Sequence, residues 1–281
     1  MKMVLRKAKP GDREKAIWVE SKSTPNLSYV PNVFEMFISD DIGEFNVIEL
    51  DGEVAACGKY TVVPDGSAWL ETLRVIPEKQ GLGLGKRLYE HWLSKAQSQG
   101  VKTLRMYTGV ENARSKGLAE RYGFKLAQTF KGATLQSKPI VTATSTGDFR
   151  CVTDPEKAKI LLMQLGTKWG SFLVMNRTFY KLTPMLIHDM VTKGMVYENP
   201  ETRSVVTLGA RFMPEQSLHI GVFGGDSKAC LDFATQKGLE RKVGNLSCMF
   251  PSSASYTQDS LVEYGFKLDK AEYIVMERNL T

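Results

Sequence analysis

No apolar run in this 281-residue chain approaches the roughly eighteen residues that a membrane-spanning helix requires, so no membrane partner is expected. Cysteine is scarce. Cys57, Cys151, Cys230 and Cys248 are scattered, with no CxxC spacing and no histidine at ligand distance, which excludes a disulfide framework and indicates no metal site. They read as free thiols of a reducing compartment, and a cytoplasmic protein is expected. Histidine is scarcer still: His91, His188 and His219 have no partner spacing and read as structural or solvated. Charge of one sign is not concentrated anywhere. The net charge of +6 comes from dispersed Lys and Arg rather than a basic stripe, so a nucleic-acid partner is not expected, although such a field favours a polyanionic cofactor. The opening Met-Lys-Met-Val-Leu-Arg-Lys passes straight into a strand-like pattern, and neither a signal nor a transit peptide is expected.

Apolar content is ordinary for a globular chain, and the length suits one large or two ordinary domains. The first half reads as a strand (4–8), a helix entered through Pro10-Gly11-Asp12 and running to about Ser21, and a short helix over about 33–39. Strands over 45–50 and 54–62 are joined by the hairpin dipeptide Asp51-Gly52. A second hairpin at Pro64-Asp65-Gly66 leads to a strand over 69–75, then a Gly-rich loop and helix, a strand over 103–107, a helix over about 114–122, Gly123-Phe124, and a strand from Lys125 to Phe130.

The segment from Thr72 to Leu88 carries the strongest chemical signal. It joins an apolar strand to an amphipathic helix through Gly81, Gly83 and Gly85. Glycine lets the backbone approach a ligand closely, the first-turn N–H groups of the helix lack intrahelical partners, and the helix dipole favours an anion there. Lys86 and Arg87 add positive charge. The loop is not a Walker A loop, because Gly85-Lys86 is followed by Arg87 instead of a hydroxyl, and it does not match the dinucleotide spacing either. Leu84, Leu88, Trp92 and Ala96 recur at i, i+4 as the buried stripe of the helix.

Read as Gln80-Gly81-Leu82-Gly83-Leu84-Gly85 after Leu73-x-Val75-x-Pro77, with the downstream block Asn112 to Phe124, the segment resembles the acetyl-CoA loop of the GNAT superfamily of N-acetyltransferases. The resemblance implies that Gln80, Gly81, Leu82, Gly83, Leu84, Gly85 and Lys86 hold the CoA pyrophosphate. It places backbone groups of Leu73, Arg74 and Val75 on the pantetheine arm, and Asn112 on that arm or as a helix cap. It also implies an acidic base near the end of the strand, for which Glu71 is the best candidate, with Glu53, Asp65 and Glu111 as alternatives more simply read as turn charge. Strand alternation puts Trp69, Glu71 and Leu73 on one face and Leu70, Thr72 and Arg74 on the other. Where the family's general-acid tyrosine normally stands this chain has Ala119; Tyr122, three residues later on nearly the same face, is the substitute candidate, with Tyr107 or water as alternatives. Arg74, if buried by the acceptor, would take a carboxylate bidentately.

The second half repeats the first. Tyr122-Gly123-Phe124-Lys125-Leu126 returns as Tyr264-Gly265-Phe266-Lys267-Leu268, Glu14-Lys15-Ala16 returns at the same offset as Glu156-Lys157-Ala158, and Gly58 to Pro64 is echoed by Gly209 to Pro214. At the position of the Gly-rich loop the copy has Val222-Phe223-Gly224-Gly225-Asp226-Ser227-Lys228, which lacks the hexamer and adds a negative charge. The expectation is therefore an α/β chain of mixed-sheet type: two GNAT-like domains in tandem, each a mostly antiparallel sheet flanked by helices. Residues 1–136 form the catalytic acetyl-CoA domain, 150–281 a degenerate copy, and 137–149 a polar connector. The expected activity is transfer of an acetyl group from acetyl-CoA to a primary amine of a small metabolite, an amino acid being favoured, with no metal. The competing readings are a peptide or protein amine as acceptor and a non-catalytic acyl-CoA sensor. The residues leave the oligomeric state open.

Overall fold

The computed structural model describes residues 2–25, 27–136 and 148–280. The expected connector therefore lies, apart from Asp148 and Phe149, outside the described residues. The chain forms two compact units: residues 1–108, 112–125 and 276–281 in the first, and residues 109–111 and 126–275 in the second. This partition is not the simple halving that the repeat suggested. From Leu126 onward the strand expected to close the first domain belongs to the second unit, and the chain's last residues belong to the first.

The first unit runs β1 (Met3–Lys7), α1 (Arg13–Ser23), α2 (Val30–Ile38), β2 (Glu44–Leu50), β3 (Glu53–Val62), β4 (Ala68–Val75), α3 (Leu84–Ser98), β5 (Thr103–Gly109) and α4 (Ala113–Arg121). The chain continues through β6 (Lys125–Gln136), β7 (Arg150–Cys151), α5 (Pro155–Gly166), β8 (Phe172–Met175), β9 (Thr178–Lys181), α6 (Pro184–Thr192), β10 (Val196–Asn199), β11 (Ser204–Gly209), β12 (Ser217–Gly224), α7 (Ser227–Glu240), β13 (Asn245–Pro251), α8 (Ser255–Tyr264) and β14 (Lys267–Asn279). The second helix starts three residues earlier than expected, at Val30, where Pro31 suits the first helical turn.

Strands of the first unit lie in the order β1-β2-β3-β4-β5, with the end of β14 beside β5. The pairs β1–β2, β2–β3 and β3–β4 are antiparallel and β4–β5 is parallel. The end of β14 is fastened to β5 by Arg105 Nε donating to Glu277 at 2.6 Å and Thr103 Oγ1 donating to Asn279 at 3.0 Å. Gly58 marks the face of β3 covered by α3, because a Cβ there would come within 2.6 Å of the Trp92 ring. Its neighbours Cys57 and Lys59 must point to the other face, where α1 and α2 pack. Lys59 reaches α2 there, donating to the Phe37 carbonyl at 3.2 Å and to Asp40 at 2.5 Å. Val19, Val33, Phe34, Phe37, Phe45 and Val47 fill that side, and Leu88 and Trp92 fill the α3 side.

In the second unit the repeat is visible as an element series: β7, α5, α6, β10, β11, β12, α7, β13, α8 and β14 follow the order of β1 to β6, with the hairpin β8–β9 added between the first two helices. β12 and β13 are its parallel pair, the counterpart of β4 and β5. The tandem, mixed and mostly antiparallel architecture agrees with the expectation.

Candidate active site

Strand β4 does not alternate throughout. Cys57 pairs with Arg74 and Lys59 with Glu71, so three steps along β4 match two along β3, and Thr72 adopts φ 57° in the left-handed region. This is a β-bulge. A bulge reverses the face of every later side chain, so the expected alternation is corrected: Glu71 and Arg74 share the α1/α2 face, and Leu73 turns to the α3 face, where it lies beside Gly85. A β-branched residue at positive φ is strained, which is why composition does not reveal the bulge.

Pairing between β4 and β5 covers Ala68–Leu70 against Leu104–Met106 and, among the described residues, stops immediately before Glu71. Beyond that point this edge of β4 has no strand beside it. The Leu73 carbonyl accepts from Arg74 Nη1 at 3.2 Å and the Val75 carbonyl from Gln80 Nε2 at 3.0 Å, so side chains hold these groups at the open edge.

Glu71 is buried, with 8% of its surface exposed. Its Oε1 accepts from Thr61 Oγ1 at 3.1 Å and its Oε2 from the Tyr29 hydroxyl at 3.2 Å. Trp69, two residues before it, stacks on Tyr107 of β5 with centroids 5.9 Å apart and planes 5° apart. Arg74 is half-buried and its Nε, fully shielded from solvent, has no hydrogen-bond partner among the described residues. The cross-strand neighbour of Arg74, Cys57, is no nucleophile: burial pushes its thiol up to about 12 despite the pull of Arg74, and Glu20 pushes it further the same way.

The Gly-rich loop has an open backbone geometry that could admit a ligand. Gly81 and Gly83 have φ of 82° and 83°, which glycine adopts without cost, and a Cβ at either position would face open space. Gly83 is the N-cap of α3 and, among the described residues, no side chain caps the first turn, which leaves the N–H groups of Leu84, Gly85 and Lys86 for a ligand. Gly85 is glycine for packing instead, its Cβ position lying 3.1 Å from Leu118 of α4. Leu82 is exposed and Leu84 buried, so each contributes backbone here and only Leu84 contributes to the core. Lys86 is exposed and lies 3.7 Å from Glu90. Arg114 of α4 donates to Gln80 Oε1, tying α4 to the loop. These features fit a CoA pyrophosphate.

α7 of the second unit shows the contrast. Asp226 caps it, accepting from the Ala229 N–H at 3.0 Å, and a Cβ at Gly225 would lie 2.6 Å from the Arg203 carbonyl. One N–H of its first turn is already taken by the cap and its loop is already packed.

Asn112 is the N-cap of α4, accepting from the Ser115 N–H at 3.1 Å. Tyr122 stacks on Tyr89 of α3 at 5.1 Å, and its hydroxyl donates to the Lys86 carbonyl at 3.2 Å. Burial and the nearby Glu90 both raise its pKa, which weakens it as an acid. Asp65 is engaged by Arg105 at 2.7 Å and reads as structural. Sequence reasoning missed Tyr29 and Thr61 as neighbours of Glu71. Counting back from the Pro64-Asp65-Gly66 turn would have paired Thr61 with Trp69, whereas Tyr29 left no local signal.

Residues 12–124 match the acetyltransferase (GNAT) family. Over 69 residues the chain is 38% identical to the amino-acid acetyltransferase of Ralstonia nicotianae, a match that covers 24% of this chain and 15% of that relative. A GCN5-related N-acetyltransferase from Sphaerobacter thermophilus superposes with a TM-score of 0.68 at 14% identity, covering 99% of this chain and 95% of that one. A tandem GNAT protein from the clavulanic acid biosynthesis pathway gives 0.61 at 10% identity, with 99% and 98% covered. The fold of the whole chain is thus that of tandem GNAT proteins. Among the described residues no group of His, Cys, Asp and Glu is arranged to hold a metal, and no helix is long and apolar enough to cross a membrane.

Proposed function

We propose that the protein is an acetyl-CoA-dependent N-acetyltransferase with one working site, in its first unit, and that its acceptor is the primary amine of a small metabolite carrying a carboxylate, such as an amino acid. The observation that carries this reading is the bulge at Thr72, which turns Glu71 and Arg74 to one face of β4 just beyond the point where β5 stops pairing. Acetyl-CoA, when bound, supplies the thioester carbonyl that the amine attacks. The amides of residues 81–86 hold its pyrophosphate with Gln80 and Lys86 beside them, Leu73–Val75 border its arm, and Asn112 fixes the start of α4.

Glu71, an acceptor held by the Tyr29 and Thr61 hydroxyls, takes a proton from the acceptor's ammonium directly or through one water, and the free amine then attacks. Arg74 Nε, a shielded donor with no partner among the described residues, supports carboxylate recognition. The raised Cys57 thiol favours direct attack by the amine over an acyl-cysteine route. No tyrosine serves as acid on this reading; water protonates the leaving thiolate, whose reference pKa is near 8.5, so little driving force is needed. The free state of the described cysteines suits a cytoplasmic setting.

The test is CoA-thiol release from acetyl-CoA with amino acids, polyamines, aminoglycosides and short peptides as acceptors. Turnover confined to carboxylate-bearing amines, and lost in Arg74→Gln through KM, supports the reading. Turnover on peptides alone replaces the acceptor class, and CoA binding without turnover on any amine replaces the enzyme by a sensor.

A further inference from the structure

α2 begins without a cap of its own. Tyr29 stands at the N-cap, and its side chain does not satisfy the first-turn N–H groups. Glu20 of α1 does so from a distance, its Oε2 accepting from the N–H of Tyr29 and from that of Val30, both at 2.8 Å. Only 1% of Glu20 is exposed, and its Oε1 has no partner among the described residues. A buried carboxylate that is half satisfied is costly, so packing alone is a poor reason for it. What it secures is the position of Tyr29, whose hydroxyl donates to Glu71 Oε2 at 3.2 Å and whose ring meets Phe37 edge-on at 6.0 Å.

We propose that Glu20 and Tyr29 form a positioning relay for Glu71: Glu20 fixes the start of α2, and through it the Tyr29 hydroxyl that orients and stabilises the Glu71 carboxylate as a proton acceptor. The relay rests on the proposed function for its catalytic meaning, although its geometry does not. A hydroxyl donated to a carboxylate favours the charged form, so losing it makes Glu71 harder to ionise. Tyr29→Phe removes the donor and keeps the ring. Glu20→Gln keeps the size but exchanges the anion at the start of α2 for a neutral amide, loosening Tyr29.

The experiment uses the full chain in four forms: parent, Tyr29→Phe, Glu20→Gln and the double variant. The carbon-13 NMR titration of the Glu71 side-chain carboxyl, identified by its absence in Glu71→Gln, is read alongside the pH dependence of kcat/KM. Both single variants are expected to move the Glu71 titration midpoint to higher pH and to lower kcat/KM roughly three- to tenfold on the acid limb, the loss shrinking as pH rises and the carboxylate ionises. The double variant is expected to match Tyr29→Phe, because the two act in series. CoA affinity stays at the parent value in all four. A midpoint unmoved by Tyr29→Phe overturns the relay, and so does a double variant whose shift is the sum of the single shifts. If the parent turns over no amine, the proposed function falls, and the titration still decides the relay.

Discussion

Replacing Gly83 by Ala separates the cradle from the rest of the fold. Gly83 has φ 83° and its Cβ position faces nothing within 4 Å, so the free protein would pay only the left-handed backbone term, about 1–2 kcal/mol for an L-residue. For a chain of this size that corresponds to a fall in Tm of roughly 2–8 °C. Ligand binding would suffer separately. The new methyl group stands at the uncapped end of α3, where the N–H groups of Leu84, Gly85 and Lys86 are expected to meet the pyrophosphate. Losing one hydrogen bond to a charged group costs about 1.5–3 kcal/mol, roughly a ten- to hundredfold rise in the Kd for CoA. Isothermal titration with CoA beside thermal unfolding measures both effects. Gly117→Ala is the control: Gly117 lies inside α4 with nothing within 4 Å of its Cβ position and no positive φ, so alanine there should stabilise by about 0.5–1 kcal/mol and leave CoA binding alone. A Gly83→Ala protein with the parent Kd for CoA would refute the assignment of the cradle.

Other consequences are equally direct. Gly58→Ala would drive a methyl group to within 2.6 Å of Trp92, an overpacking that costs about 1–3 kcal/mol in urea unfolding. Asp226→Ala, which uncaps α7, should cost about 1 kcal/mol of stability without creating a second CoA site, so titration should still count one CoA per chain. Glu44 makes an acid-sensitive contact: burial pushes its carboxyl up, but His91, Asn46 and Lys95 outweigh that and hold it at about 2, against an ordinary 4.5. Because the folded value is the lower one, its stabilisation is complete above about pH 4.5 and fades as pH falls toward 2. Acid unfolding of Glu44→Gln should be flatter across that window than that of the parent.

The parts legible in the sequence were those written in local pattern. Gly81 and Gly83 carry their conformational demand in their identity, and the helix stripe Leu84, Leu88, Trp92 and Ala96 is buried as its spacing required. The duplication was readable because the Tyr-Gly-Phe-Lys-Leu repeat opens the same strand twice, as β6 and as β14. What escaped were features set by partners distant in sequence. The bulge arises from the register between β3 and β4 and falls on a threonine, a residue type that ordinarily avoids positive φ. The placement of residues 276–279 depends on pairing with β5, for which strand propensity carries no address. Tyr29 and Glu20 gain their meaning only once α1 and α2 pack on the sheet.

The most direct test of the central claim is the rate of CoA-thiol release from acetyl-CoA across the amine panel, measured for the parent and for Glu71→Gln at matched CoA occupancy. The account expects turnover on a carboxylate-bearing small amine and a fall in kcat of about 10²–10⁴-fold in Glu71→Gln, with the Kd for CoA unchanged. A Glu71→Gln protein that turns over at the parent rate across the pH range would contradict it.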